Sequence, residues 1–381
     1  MASSIQPLFL FSKDGMIRCA LRHLVDFEAA ILMYHRFRSD ATPGYVISRS
    51  DFADQMLLLR RHYKVVSLEE ALASSRQRRV VAITVDDGYR SFADIAFPVL
   101  SELRFPVTVF LPVKFIDDGG WLWQDRNIFV LRACPRGQWT FNWADKSLHI
   151  DTRERQALFA TMRRIYAACA VLPEMEQLAF SRRLGELLGV ELPALPVAEF
   201  APLTWERIRE LQTEGVVFGS HTTGHRLLTL CDHEVARREI VESRRVLRDR
   251  LEREVSCFAY PNGDFNRFVR QAVEESGYGS ALTTRPEFWR QGDDRFTVPR
   301  IPAPAGGGTP AATIRGNRIG LDAAGTAEGN RFGVRVVAGG AAIGGTITNA
   351  GNTIAANAEA DIQVEAPGMV GNIQGNRIGT D

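Results

Sequence analysis

The sequence predicts an α/β protein built on a parallel sheet, either open or closed into a barrel, with a short repetitive β segment behind it. Three observations lead there. Along residues 28–302 short, wholly apolar runs alternate with segments of helical apolar spacing; a long stretch rich in Arg, Leu and Ala interrupts that alternation at about 117–202; and a Pro/Gly linker at 303–313 leads into a Gly/Asn-rich tail at 314–381 that repeats itself. Residues 1–27 form an N-terminal extension.

The apolar run Ala29 to Tyr34 ends at His35-Arg36, as expected of a buried strand whose polar end reaches a loop. Ser50 to Leu59 has helical spacing, with Phe52, Met56, Leu57 and Leu59 on the apolar face. Val65-Val66 reads as a short strand, Leu68 to Ala73 as a short helix capped by Ser67, and Val80 to Val85 as a fully buried strand. A helical segment up to about Leu103 and the strand Val107 to Leu111 follow. The inserted stretch at 117–202 reads as largely helical and opens with Trp121-Leu122-Trp123-Gln124-Asp125. The βα rhythm resumes with the helix Thr204 to Glu214, the strand Val216 to Ser220 and a charged helix from about Asp232 to Leu251. The strand Ser256 to Ala259, the helix Phe265 to Ser276, a strand around Ala281 to Thr283 and the segment Phe296 to Ile301 complete the core. Strands joined in this way through helices imply parallel pairing with crossovers.

In the tail, Gly316-Asn317-Arg318-Ile319-Gly320-Leu321-Asp322 returns as Gly375-Asn376-Arg377-Ile378-Gly379-Thr380-Asp381, with weaker copies at Gly329 and Gly351. Apolar pairs between Gly-Asn turns suit the coils of a parallel β-helix, and the segment resembles right-handed β-helix repeats. The sequence stops inside a repeat, so the open end is expected either to be covered by a partner, allowing oligomerisation there, or to reflect truncation or fusion.

Composition excludes some function classes. With 46 basic and 45 acidic residues, net charge +1, the chain lacks the basic surplus of a nucleic-acid binder. Its 45% hydrophobic and 24% charged residues are those of a globular protein with a buried core. The five cysteines, Cys19, Cys134, Cys169, Cys231 and Cys257, include no Cys-x-x-Cys pair, which fits a reduced compartment. Pro7 to Phe11 is too short for a signal-peptide core, Met16 is an alternative start, and no stretch approaches the length of a membrane span. A cytoplasmic location is the expectation.

Chemistry is concentrated in two motifs. Thr84-Val85-Asp86-Asp87-Gly88 sets two adjacent carboxylates at the end of a buried strand, where like charges raise each other's proton affinity unless a cation neutralises them. Asp-Gly also makes a plain turn. His221-Thr222-Thr223-Gly224-His225 follows another buried strand, and histidines four apart can share one side of a helical turn, a pattern that surface helices also show by chance. Both motifs fall at C-terminal strand ends, where α/β barrels gather their active sites. One carboxylate and two imidazoles leave a position open for water or substrate, as in catalytic zinc sites, and the second aspartate is then free to act as a base. Other divalent ions accept the same donors. Such a site suits hydrolysis of an amide or ester.

These two motifs, together with Leu32-Met33-Tyr34-His35-Arg36, Phe258-Ala259-Tyr260-Pro261-Asn262-Gly263 and Phe296-Thr297-Val298-Pro299-Arg300, resemble in order the motifs of the polysaccharide deacetylase superfamily, the family 4 carbohydrate esterases. The resemblance covers about residues 28 to 302. It implies a distorted (β/α) barrel with fewer than eight strands, Asp86 as catalytic base, Asp87, His221 and His225 as metal ligands, and an oxyanion-holding backbone amide near Asn262. Two positions depart from the family pattern. Ala259 stands where many members carry an arginine that pairs with the catalytic aspartate, and Arg300 is the candidate to supply that charge. No histidine follows His233 to act as the late general acid, and His35 is a candidate substitute, or else a core or loop histidine.

The implied activity is removal of acetyl groups from N-acetylated sugars of a glycan or its precursor. A metal-dependent amidohydrolase acting on a small amide, and a catalytically inactive carbohydrate-binding protein, are the alternatives. Trp121, Trp123 and Asp125 offer either a sugar-stacking platform or core packing.

Overall fold

The structure, a computed structural model, describes residues 28–39, 46–73 and 79–303 with their side chains, and beyond 303 the backbone of short strands only. The N-terminal extension at 1–27 and most of the linker lie outside the described residues.

In chain order the first elements are β1 (Ala29–Tyr34), β2 (Phe37–Arg38), β3 (Ile47–Ser48), α1 (Arg49–His62), β4 (Lys64–Val65), α2 (Leu68–Ala73) and β5 (Val80–Val85). A π-helical turn, Phe92–Ala96, then runs into α3 (Phe97–Leu103), followed by β6 (Val107–Leu111) and α4 (Val113–Asp118). The inserted stretch holds α5 (Trp123–Ala133), β7 (Gln138–Trp143), β8 (Lys146–Asp151), α6 (Arg155–Ala170) and α7 (Glu174–Leu188). The core resumes with α8 (Trp205–Thr213), β9 (Val217–Ser220), α9 (His233–Leu251), β10 (Cys257–Ala259), α10 (Arg267–Glu275), β11 (Ser280–Leu282) and β12 (Ile301–Pro302).

Local sequence accounts for many helix starts. Ser48, Thr204 and Asn266 each accept a hydrogen bond from the backbone N–H three residues on. At α2 the Ser67 hydroxyl accepts from Glu70 N–H while the Glu70 carboxylate accepts from Ser67 N–H, a reciprocal capping box. On α1, Phe52, Met56 and Leu59 are buried as the spacing predicts, but Leu57 points outward and is 53% exposed.

The main sheet is parallel throughout, in the order β11-β10-β9-β6-β5-β1-β12, with β4 pairing to β5 as a branch off this path. β1, β5 and β6 are buried at every position, which is why their sequences are uninterrupted apolar runs rather than alternating ones. The final segment brings the two sheet edges together. Val298 bridges in parallel to Leu282 of β11, and three residues later Ile301 pairs with Leu32 of β1. The result is a distorted (β/α) barrel with seven strands on its path.

The inserted stretch adds to its helices an antiparallel hairpin, β7 and β8, that the helical reading did not include. Trp123, Val130, Phe141, Ile150, Ile165, Phe180 and Leu184 form an apolar cluster distinct from the barrel core. Past residue 311, strand Ala312–Ile314 pairs in parallel with Ala341–Gly344, and that with Val370–Gln374. Arg318–Ile319, Thr353–Ile354 and Arg377–Ile378 stack likewise. Phe332–Val336 pairs in parallel with Ala360–Val364, and the segments between these strands lie outside the described residues. Among the described residues no helix is long and apolar enough to cross a membrane, and Cys134, Cys169, Cys231 and Cys257 are free.

Candidate active site

Parallel pairing brings the C-terminal ends of β1, β5, β9 and β10 to one end of the barrel, and with them His35, the Asp86-Asp87 pair, the His221–His225 loop and the Tyr260–Gly263 loop. Main-chain bonds fix the first residue of two of these loops: Asp86 N–H donates to Tyr34 O at 2.9 Å, and His221 N–H to Leu111 O at 3.0 Å.

Asp87, His221 and His225 converge, all buried, with one potential ligand atom from each lying within 4.8 Å of the others. Asp87 Oδ1 is 3.2 Å from His225 Nε2 and 3.6 Å from His221 Nε2, yet is buried without a hydrogen-bond partner. A buried, orphaned carboxylate oxygen costs free energy unless something cationic satisfies it, so the donors present fit a divalent cation. His221 Nδ1 lies 2.7 Å from the Ala259 carbonyl, which can only accept, so the ring's proton sits on Nδ1 and Nε2 faces Asp87. Burial pushes the His221 imidazole down to about 4, leaving it neutral and able to ligate at pH 7. Burial alone would raise the Asp87 carboxyl, but His225, His35 and His221 outweigh it and hold the group below its ordinary range.

The two histidines do not share a helical turn. They lie on a loop in which Thr222 (φ 69°) and His225 (φ 54°) are left-handed, and Asp87 (φ 72°) and Asn262 (φ 60°) take the same conformation in the neighbouring loops. A β-branched residue at positive φ is strained by about 1–3 kcal/mol. The fold therefore holds this loop by other contacts: Thr222 O and Thr223 O accept from Val113 and Lys114 N–H, and the Glu239 carboxylate on α9 accepts from Thr223 and Gly224 N–H. Nothing in the charged pattern of α9 singled out Glu239.

Beside the triad, Arg300 enters from the closing segment and donates to both Asp86 oxygens, at 2.6 and 2.7 Å. Its Nε donates to Thr283 O and its Nη1 also to Thr84 Oγ1. Burial would raise the Asp86 carboxyl, but Arg300, His221 and His35 together hold it down and ionised. Arg300 is thus the residue whose guanidinium pairs with Asp86, while Ala259 carries no charge. His35 is partly exposed at the mouth, with Nε2 3.9 Å from Asp86 Oδ2. In the Tyr260–Gly263 loop the N–H groups of Tyr260, Gly263 and Asp264 donate to Leu282, Tyr260 and Pro261 carbonyls, and Pro261 has none. The Asn262 N–H is the remaining amide of the loop. Gly263 is obligatory there: at φ 75° a Cβ would fall 2.4 Å from Thr284 N.

Trp121 and Trp123 form no exposed platform. Trp121 packs against Phe129 and Phe200 and donates to Pro193 O, and Trp123 packs on Tyr166 and donates to His225 O at 3.1 Å. Asp125 is buried and accepts a 2.7 Å bond from the Tyr89 hydroxyl. Burial raises its carboxyl to about 6, against the lowering effect of Arg36 and Tyr89. Tyr89, directly after Asp86-Asp87-Gly88, is a site neighbour that the sequence reading passed over.

"Putative polysaccharide deacetylase YxkH" of Bacillus subtilis (strain 168) is 24% identical over 99 residues, spanning 26% of this chain and 36% of that relative. Among solved structures, the Streptococcus pyogenes deacetylase PplD in complex with acetate has 18% identity and a TM-score of 0.49, covering 73% of this chain and 92% of that one. IcaB from Ammonifex degensii has 19% identity and a TM-score of 0.48, covering 73% and 92%. The model of the Polysaccharide deacetylase family matches residues 73–281, more than half of the sequence, and the chain belongs to that family.

Proposed function

We propose that this chain is a metal-dependent hydrolase that removes acetyl groups from N-acetylated sugars of a glycan or its precursor. The observation that supports it most is the orphaned Asp87 Oδ1 between two imidazole Nε2 atoms, beside a second carboxylate held ionised by Arg300.

Asp87, His221 and His225 would hold the cation, and zinc suits this donor set; when bound, it supplies Lewis-acid polarisation of the acyl oxygen and of water. Asp86, kept ionised by Arg300, takes the proton of the attacking water. The Asn262 N–H donates to the oxygen that becomes negative as the acyl carbon turns tetrahedral. His35, at the mouth and within 3.9 Å of Asp86, passes a proton to the leaving nitrogen as the C–N bond breaks, giving acetate and an amine.

One observation favours the small-amide reading: the inserted stretch reaches the metal-ligand loop through Trp123, so it walls one side of the site. Acetate release from N-acetylglucosamine oligomers, measured beside a small acyclic acetamide, separates the two. The proposal expects turnover of the oligomers; turnover of the small amide alone contradicts it. Glycan binding without hydrolysis of either substrate returns the chain to the inactive binding class. For the tail we propose stacked parallel β-coils, supported by the pairing of Ala312, Ala341 and Val370 across successive strands.

A further inference from the structure

The first turn of α5 grips both loops that carry the metal ligands. Trp123 Nε1 donates to the His225 carbonyl at 3.1 Å, the Gln124 carboxamide lies 3.3 Å from His225 Nδ1, and Asp125 accepts from Tyr89, two residues beyond Asp87. Three consecutive residues of the inserted stretch therefore contact the surroundings of the site.

Gln124 is the one that touches a ligand ring. A histidine that offers Nε2 to a cation carries its proton on Nδ1, and that N–H needs an acceptor to fix the ring's tautomer and orientation. His221 has the Ala259 carbonyl in this role. At His225 the group facing Nδ1 is the Gln124 side chain, whose Oε1 is buried without a hydrogen-bond partner. A half-turn of the carboxamide exchanges its nitrogen and oxygen and sets Oε1 against the Nδ1–H. The ring would then be held with Nε2 turned toward Asp87 and His221.

We propose that Gln124 is a positioning residue of the metal centre, accepting from His225 Nδ1–H, so that the inserted stretch helps to set the affinity of the site for its cation. This rests on the metal-dependent reading above. The inserted stretch then contributes to the site itself.

The test is zinc affinity of the full-length protein, by competition with a chromophoric chelator, for wild type, Gln124→Met and Gln124→Glu. The visible spectrum of the cobalt-substituted forms reports ligand geometry. Loss of an acceptor to a ligating imidazole typically weakens metal binding about 10–100-fold, and that is expected of Gln124→Met. Gln124→Glu keeps an acceptor of similar reach and is expected to bind zinc at least as tightly as wild type. Equal affinity in wild type and Gln124→Met overturns the inference, and so does a Gln124→Glu variant as weak as Gln124→Met, which would reveal a packing role. Should Gln124→Met fail to fold, Gln124→Ala repeats the comparison. A wild-type protein that binds no zinc refutes the metal-dependent reading and this inference with it; wild-type binding indifferent to Gln124 refutes only the inference.

Discussion

Arg300 and Asp86 meet through two parallel hydrogen bonds of 2.6 and 2.7 Å, with side chains 0% and 3% exposed. Neither charge is tolerable there alone, and their fit depends on Thr283 O and Thr84 Oγ1 taking further guanidinium donors. Removing the arginine strands a buried carboxylate, so Arg300→Met is expected to destabilise the protein by about 3–5 kcal/mol near neutral pH. The Asp86 carboxyl is held below its unfolded value, so its stabilising contribution is present above about pH 4 and is lost as pH falls through the folded value. Urea unfolding across pH should show the gap between wild type and Arg300→Met narrowing in acid; a gap independent of pH counts against the pairing.

Asp125 titrates in the opposite sense. Folded, it keeps its proton up to about pH 6; unfolded, only up to about pH 3.9. Between those values the folded state binds more protons, so this group's contribution to stability falls as pH rises. Asp125→Asn retains an acceptor for Tyr89 and cannot ionise. Melting of both proteins from pH 4 to 7 should show the difference moving in favour of the variant as pH rises, whereas a constant difference would mean that Asp125 is ionised throughout.

His35 is expected to matter in proportion to the basicity of the leaving group. An amine cannot depart unprotonated, while a nitrophenolate can, so His35→Gln should lower acetamide hydrolysis by about 10²–10⁴-fold and leave 4-nitrophenyl acetate hydrolysis nearly unchanged. Equal losses on both substrates would assign His35 to structure instead of proton delivery.

Much of the barrel could be read from the sequence because its strands are buried on both faces, which makes Ala29 to Tyr34 and Val80 to Val85 continuous apolar runs. The carboxylate motif was legible because it directly follows such a run, and the histidine motif because it follows the short strand β9, buried from Phe218 to Ser220. The β7–β8 hairpin also had a signal, the period-two alternation of Trp139, Phe141 and Trp143, masked by the helical composition around it. The roles of Gln124 and Glu239 had none. Each acts on a loop distant in sequence, His225 for the first and Gly224 for the second, and only the folded chain makes those pairs. Trp123 was legible as an aromatic but not as a hydrogen-bond donor, since its partner is a backbone carbonyl 102 residues away.

The most direct test separates the two adjacent carboxylates. Wild type, Asp86→Asn and Asp87→Asn are stripped of metal and reloaded with zinc, and bound zinc and acetate release from N-acetylglucosamine oligomers are measured on the same samples. Wild type is expected to bind one zinc per chain and regain hydrolysis on reloading, Asp86→Asn to bind zinc without hydrolysing, and Asp87→Asn to lose both. Hydrolysis that persists in the stripped wild type, or in Asp86→Asn, would contradict the assignment of a metal-dependent site with Asp86 as its base.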